Sequence, residues 1–338
     1  MFTLKCDINI GPYNFTQVSD ITIHKSWRTL ISTCEIELPG LKTLLNANRQ
    51  IKAGDKVTVT LWYDVNNESQ EKHLEFVGYV SRTVPGFPFR VECEDTTYLL
   101  KRTRITKLWK ERDPVKLTLK TLIEYLVSET KKQTGRTDIS VNNLVPDVTF
   151  EKFNIQNDNV AQILQKLKEE YGLAGFFTGT DNTSLFVGLA NQVNTGEKVD
   201  YFFDYNVIEN DLIFRTADEI RLRVKCIGFT KANQKIEPKE TIGDDDGELK
   251  TIVKYNITSE ADLKKQAMEE ASKLKYDGFD GTLTTFLYPY AEPLMVAVLD
   301  DPQYDGSRNG QYLIDSVTTK FGMGGARRIV ELGKKIPV

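Results

Sequence analysis

Apolar residues recur at every second position in widely separated stretches of this chain, and that period most narrows what it can fold into. Ile220, Leu222, Val224 and Cys226 are interleaved with Arg221, Arg223 and Lys225. Lys56-Val57-Thr58-Val59-Thr60-Leu61-Trp62-Tyr63 interleaves small aliphatics with threonine. A period of two turns one face of an extended strand towards a core and leaves the other wet, which a helix cannot do. The same theme predicts strands over residues 4–10, 21–27, 30–38, 76–84 and 89–94. Pro39-Gly40 closes one of these, and Pro85-Gly86-Phe87-Pro88 splits the last two as a turn. Beyond residue 205 the theme resumes, with further strands expected over 281–287, 294–299, 312–319 and 328–332.

The two β regions align with each other. Residues 55–82 set against 292–319 keep one constant displacement, so that Val59 meets Val296, Leu61 meets Val298, Asp64 meets Asp301, Val77 meets Ile314 and Val80 meets Val317. In both, a strand ends in Asp, a polar loop follows, and a second alternating strand begins at the same distance. The shared loop length predicts an internal duplication.

Between them the period changes. Asp113-Pro114 reads as an N-cap followed by proline at the first helical position, with Leu119, Leu122, Ile123 and Leu126 at helical spacing and Gly135 as the stop. A second helix is expected from Asp158, with Val160, Ile163, Leu164 and Leu167 on one face and Gly172 ending it. A hairpin follows, Gly175-Phe176-Phe177 against Leu185-Phe186-Val187, turning at Gly179-Thr180-Asp181-Asn182. Ser259 with Asp262 resembles a capping box opening a third helix, with Leu263, Ala267, Ala271 and Leu274 as its stripe. The length of 338 residues suits two or three domains. The expected architecture is mainly β: two related small β-barrel domains over 1–105 and 201–338, an α+β insert over 106–200, and a helix over 259–276 inserted into the second barrel.

The composition excludes several function classes. Forty-four Lys+Arg against 48 Asp+Glu give a formal charge of −4, with no global basic field for nucleic acid. No apolar run reaches the roughly 20 residues of a membrane-spanning helix, and Met1-Phe2-Thr3-Leu4-Lys5 lacks the layout of a signal peptide. Cys6, Cys34, Cys93 and Cys226 form no CxxC pair, which suits buried thiols of a cytosolic chain and neither a metal site nor a disulfide framework. His24 and His73, the two histidines, stand near no recognisable nucleophile motif and read as ordinary surface or strand residues. No catalytic residue, metal ligand or cofactor is expected. An EF-hand on Asp244-Asp245-Asp246-Gly247-Glu248 would need acids where Ile242 and Val253 stand, so this is an acidic surface loop. Gly322-Met323-Gly324-Gly325-Ala326-Arg327-Arg328 lacks the GxxxxGK[ST] order and reads as a flexible hairpin tip. Arg221, Arg223 and Lys225 put three cations on one strand face. Such a stripe is ordinarily the wet face of a sheet, and it is also the candidate interaction surface. The aromatic runs Tyr201-Phe202-Phe203-Asp204-Tyr205 and Phe286-Leu287-Tyr288-Pro289-Tyr290 are core strands by default, or strand-end anchors in an oligomer.

The order of these elements resembles the late control protein D family of phage baseplate hubs, and more distantly the base of VgrG-type spikes. Gly54-Asp55-Lys56-Val57 looks like the family's G-D-x-V strand start, and Phe76-Val77-Gly78-Tyr79-Val80 like its F-x-G-x-V strand. Val91-Glu92-Cys93-Glu94 running into Leu99-Leu100 is similar to its strand ending in an acidic residue, and residues 159–167 to its insert helix. Residues 310–317 leading into 328–332 are similar to its closing hairpin. Ala291-Glu292-Pro293-Leu294 departs from the pattern, replacing the Gly-Asp pair expected before the second barrel's strand.

The resemblance implies two related barrels per chain and a homotrimeric ring of pseudo-sixfold symmetry joining the sixfold tail tube to a threefold spike. DNA or cargo would pass through the pore without specific binding, and the chain would sit in the virion tail baseplate, assembled in the bacterial cytoplasm among other baseplate proteins. With the sequence stopping at Val338 after the second β region, spike and lysin are expected to be separate polypeptides. The expected function is a non-enzymatic hub of a contractile phage tail or related injection system. The alternatives are the tail-associated hub of a non-contractile tail, and a tail-borne cell-wall hydrolase or carbohydrate-binding β module.

Overall fold

The computed structural model describes residues 2–39, 51–66, 68–109, 117–146, 149, 153–179, 181–189, 196–230, 234–255, 257–272, 274–302 and 309–336. The protein is mostly β, with four helices among these residues. The first β unit comprises β1 (Phe2–Ile10), β2 (Tyr13–Phe15), β3 (Asp20–Ser26), β4 (Thr33–Leu38), β5 (Lys56–Val65), β6 (Glu68–Ser69), β7 (His73–Val84) and β8 (Phe89–Glu94). The alternation in β5 does what its period requires. Val57, Val59 and Leu61 are fully buried and face Ile10, Ile8 and Cys6 of β1 across an antiparallel ladder. Burying each such aliphatic contributes about 1.5–3 kcal/mol relative to leaving it wet. Strand β4 starts three residues later than expected. The Ser26 hydroxyl accepts from the Arg28 amide and Thr29 donates to the Ile31 carbonyl, so residues 27–30 turn before the strand begins. Gly40, expected to close β4, lies outside the described residues.

After β8 the chain forms a short helix, α1 (Thr97–Arg102), that the strand pattern did not reveal; the Asp95 carboxylate accepts the Thr97 amide at its start. It continues through β9 (Arg104–Trp109), α2 (Leu119–Thr134), β10 (Ser140–Val141), β11 (Phe153–Asn159), α3 (Val160–Tyr171), β12 (Ala174–Thr178) and β13 (Ser184–Gly188). The expected cap Asp113-Pro114 lies outside the described residues, and α2 starts later, with Thr118 and Thr121 exchanging side-chain and backbone hydrogen bonds. Asn159 and Gln162 do the same for α3, so its cap is one residue beyond the expected Asp158. Both helices end at the expected glycines, Gly135 at φ +71° and Gly172 at φ +67°, left-handed conformations that cost other residues steric strain. Leu119, Leu122, Ile123 and Leu126 pack with Val160, Ile163, Leu164 and Leu167 in one core. The expected hairpin forms in the expected register, Gly175 opposite Val187, Phe176 opposite Phe186 and Phe177 opposite Leu185. Thr180 of its turn lies outside the described residues.

The second β unit comprises β14 (Lys198–Phe202), β15 (Val207–Arg215), and, after an excursion, β20 (Gly278–Thr285), β21 (Val296–Asp300), β22 (Gly310–Gly322) and β23 (Gly325–Ile336). The excursion is a separate sheet of β16 (Leu222–Phe229), β17 (Lys235–Ile236), β18 (Ile242–Gly243) and β19 (Glu248–Tyr255), covered by α4 (Glu260–Ser272). Leu263 and Ala267 of α4 bury against Leu222, Val224 and Cys226. At its start the Ser259 hydroxyl accepts the Asp262 amide, while the Asp262 carboxylate reaches back to the Thr258 amide, one residue earlier than the expected box. The helix is shorter at both ends than the expected 259–276.

The two units are built alike. In the first, hydrogen-bonded neighbours run β1-β5-β7-β8-β4-β3; in the second they run β14-β21-β22-β23-β20-β15. With the short β2 and β6, which have no counterpart in the second unit, left out and the rest numbered by chain order, the two paths are identical. The register repeats as well, at the displacement seen in the sequence: Val59 opposite Phe76 becomes Val296 opposite Leu313, and Val80 opposite Cys93 becomes Val317 opposite Val330. Tyr79 opposite Glu94 becomes Ser316 opposite Glu331. One difference is orientation, since β1 runs antiparallel to β5 whereas β14 runs parallel to β21.

Neither unit closes into a barrel among the described residues, which corrects the expectation of two closed barrels. Closure would need the outer edge of β3 to return to its own unit. That edge is instead bonded to β22, and the two units merge into one 14-stranded sheet.

Candidate functional site

The most elaborate polar arrangement in the molecule lies where the two β units meet. Strand β3 pairs antiparallel with the C-terminal half of β22, from Ser26 opposite Ser316 to Asp20 opposite Gly322. His24 bridges the two strands, its Nδ1 lying 3.0 Å from the Thr318 hydroxyl. Beside this ladder Arg328 of β23 reaches Glu75 of β7. Its Nη2 donates to Oε1 at 2.7 Å and its Nη1 to Oε2 at 3.2 Å, with both side chains 1% exposed. The guanidinium also donates to the Leu287 carbonyl and, at 3.0 Å, to the Thr319 hydroxyl. Burial works against the charge on Arg328, but Glu75, with Tyr290 and Glu292 beside it, outweighs burial and holds the guanidinium above its usual pKa.

Aromatic and acidic side chains surround this pair. The Tyr290 ring lies 5.0 Å from the Arg328 guanidinium, and His73 stacks on Tyr290 with centroids 4.3 Å apart. The Tyr290 hydroxyl donates to Glu292, which Lys25 of β3 also contacts at 2.5 Å. Burial, then Glu292 and Glu75, push the Tyr290 phenol far above its usual pKa, while burial pushes the His73 imidazole below its own. A second, half-exposed ion pair between the units lies next to the Ser26–Ser316 end of the ladder. The Trp27 indole donates to Asp315 at 2.8 Å, and Arg28 pairs with the same carboxylate. Burial raises the Asp315 pKa, opposed by Arg28 and Trp27. A buried, fully hydrogen-bonded ion pair adds little net stability over apolar packing, but it strongly penalises any arrangement that separates its members. The junction therefore fixes how one unit sits on the other.

Arg328 corrects the sequence reading of residues 322–328 as a flexible tip. The tip is the two-residue turn Met323-Gly324, and Arg328 lies inside. The signal was present: Ala326, Arg328, Val330 and Leu332 alternate with wetter neighbours along β23, which places the arginine on the apolar face. The aromatic runs are only partly core strand, Tyr201 and Leu287 being fully buried while Phe202, Tyr205 and Phe286 are exposed.

Arg221, Arg223 and Lys225 lie together on and beside β16, on the face turned away from α4, each engaged locally. Arg221 pairs with Asp246 at 2.7 Å, Lys225 with Glu237 at 2.7 Å, and Arg223 donates to the Asp245 carbonyl. The acidic loop thus neighbours the cationic stripe. All four cysteines are buried free thiols; burial raises Cys6 to about 11 and pushes Cys34, Cys93 and Cys226 above the usual thiol value, so none is a ready nucleophile. Among the described residues no group of three or more His, Cys, Asp or Glu side chains gathers as a metal site, and no helix is long and apolar enough to cross a membrane. A shallow cleft of about 650 Å³ opens between the β3–β4 turn and α3, lined by Arg28, Leu30, Lys101, Ala161, Gln165 and Lys168 among others.

Several strand edges have no strand partner among the described residues, and two of them hold the places that β3 and β22 join at the junction. One is the outer edge of β15, which pairs only with β20 and exposes Ile208 and Ile213. The other is β7 beyond Val80: β5 pairs as far as Tyr79 and residues 54–55 as far as Val80, leaving Ser81–Val84 bonded on one side only, to β8.

Solved structures share this architecture. The chain superposes on the 43 kDa tail protein of prophage MuSo2 from Shewanella oneidensis with a TM-score of 0.58 at 16% identity, covering 98% of both chains. A tail protein from Neisseria meningitidis MC58 gives 0.61 at 12% identity, over 98% of this chain and 96% of that one. The chain shares its fold with both of these tail proteins. A third structure, the E. coli c3393 protein, gives 0.57 at 9% identity over 97% of this chain and 76% of that one. It is described as a type VI secretion component structurally similar to T4 bacteriophage tail proteins gp27 and gp5. No protein-family model and no curated protein matches the sequence. The shared fold extends over nearly the whole chain, so the junction and both strand edges lie within it.

Proposed function

We propose that the chain is a structural hub of a phage tail baseplate or a related contractile injection machine. Three copies form a ring between the sixfold tail tube and a threefold spike, without enzymatic activity. The observation that carries this reading is the duplicated unit. One strand order and register occur twice, the two units join edge to edge once, and each end of the pair presents a strand edge. Units joined head to tail at a constant rotation close into a ring, and six units from three chains give sixfold packing on a threefold object. Closure also covers edges that would otherwise invite aggregation. The fold shared with tail proteins and with a type VI component supports the placement in an injection machine.

In this reading the ring surrounds a pore through which DNA or other cargo passes without specific binding. The protein resides in the virion tail baseplate and assembles in the host cytoplasm, in contact with tube, spike and other baseplate proteins. The Arg221–Arg223–Lys225 face serves as a contact for an acidic neighbour; reversing these three charges blocks incorporation into the baseplate and leaves the fold intact. Electron images of the purified protein at high concentration test the hub reading. Rings with threefold symmetry and a central opening are expected; single particles or open filaments contradict it.

A further inference from the structure

A ring of three chains has six unit-to-unit contacts, three within chains and three between them, and each chain contains one complete copy. We infer that the ring closes by antiparallel addition of β15 of one copy to the Ser81–Val84 edge of β7 in the next, with Arg82 directly opposite Asp211 of the neighbouring copy. The inference rests on the hub reading and supplies the partner and register of its interface.

The register follows from the contact inside the chain. There Thr318 of β22 lies opposite His24 of β3. Thr318 sits opposite Ile329, and at the displacement of the repeat Ile329 corresponds to Glu92, which lies opposite Arg82. Arg82 therefore occupies the place of Thr318, Ser81 being bulged out just before it. His24 sits opposite Thr33, and Thr33 opposite Glu94; in the second unit Asp211 sits opposite Thr282, and Thr282 opposite Glu331. Glu331 corresponds to Glu94, so Asp211 occupies the place of His24. The same mapping sets Thr83 opposite Asn210 and Val84 opposite Glu209. Pro85 has no amide hydrogen to donate and ends the pairing.

Two independent features fit. Each edge lacks a strand partner among the described residues, and the mapping, which uses only hydrogen-bond register, brings opposite charges face to face. Ile208 and Ile213, exposed on β15, are covered by the neighbouring unit, as β3 is covered by β22.

Paired cysteines test the register. Directly opposed strand residues have Cα atoms within disulfide reach, whereas a slip of two residues displaces them by roughly 7 Å. The variant Arg82→Cys with Asp211→Cys, oxidised at high concentration, is expected to yield a covalent trimer on non-reducing gels. The control Arg82→Cys with Ile213→Cys is expected to yield at least about tenfold less, as expected from that reach limit. Both positions are exposed, and the native cysteines are buried. If unmodified protein is trimeric but cross-linking favours the control, or fails in both variants, the register is wrong and the hub reading stands. If no trimer forms in the unmodified protein, the inference and the hub reading both fail.

Discussion

Strands β3 and β15 hold the same place in the two β units, and their side chains are treated differently. In β3, Ile21 and Ile23 are buried, and its outer edge is sealed by β22. In β15 the corresponding stretch is Val207, Glu209, Asn210 and Asp211, largely exposed, with Ile213 exposed beyond it. The junction shows a second asymmetry. At the place of Arg328 the first unit has Val91, and at the place of Glu75 the second has Tyr312, both fully buried. The buried ion pair therefore occurs once per chain. The internal junction is locked by a charged latch, whereas the matching edges outside carry exposed charges suited to forming after the chain has folded. In the proposed ring, one repeated backbone plan would serve both a permanent joint and an assembly joint through a few changed side chains.

The largest expected effect comes from splitting the latch. Arg328→Met leaves the Glu75 carboxylate buried without its partner and should cost about 3–5 kcal/mol, read as a lower denaturant midpoint. Arg328→Met with Glu75→Leu removes both charges and should recover most of that loss. If the double variant is as unstable as the single one, the pair is more than a mutual neutralisation.

The contrast between the outer strands predicts a smaller, split result. Ile23→Ala empties a buried site and should cost about 2–5 kcal/mol. Ile213→Ala should change the stability of the isolated chain by no more than about 0.5 kcal/mol and weaken assembly instead. Equal losses in denaturation of dilute protein would erase the distinction between the strands.

The smallest effect is a pH dependence at the latch. Burial against Tyr290 lowers the His73 pKa, so the unfolded chain takes up a proton more readily than the folded one. The stabilisation is complete above the ordinary histidine pKa of about 6.5 and is lost as pH falls through the lower folded value. Melting curves across that window should show a decline for the native protein and a flatter profile for His73→Phe.

Local pattern carried much of this fold. The alternation of Val57, Val59 and Leu61 placed β5 and its buried face, the spacing of Val160, Ile163, Leu164 and Leu167 with Gly172 placed α3, and Phe176 and Phe186 found each other across a turn of polar residues. The repeat was legible because β hairpins of equal loop length leave a constant displacement. The junction was not. Ser26 and Ser316, or Glu75 and Arg328, are hundreds of residues apart, and no local periodicity marks which strand edge will meet which. Arg328 was misplaced because a glycine-rich, basic composition outweighed its position on the apolar face of an alternating strand. The cap of α2 was misplaced because Asp113-Pro114 is a strong start signal, while Thr118 with Thr121 makes the same bonds next to the apolar stripe. Closed barrels were expected because alternating strands specify a buried face and say nothing about where an edge goes.

The most direct test of the account is the mass of the protein in solution, measured by light scattering over rising concentration. The account predicts a species of three times the chain mass, with no stable dimer and no growth beyond it, because only three copies close six units into a ring. A chain that stays monomeric throughout, or that continues to grow into larger assemblies, would contradict it.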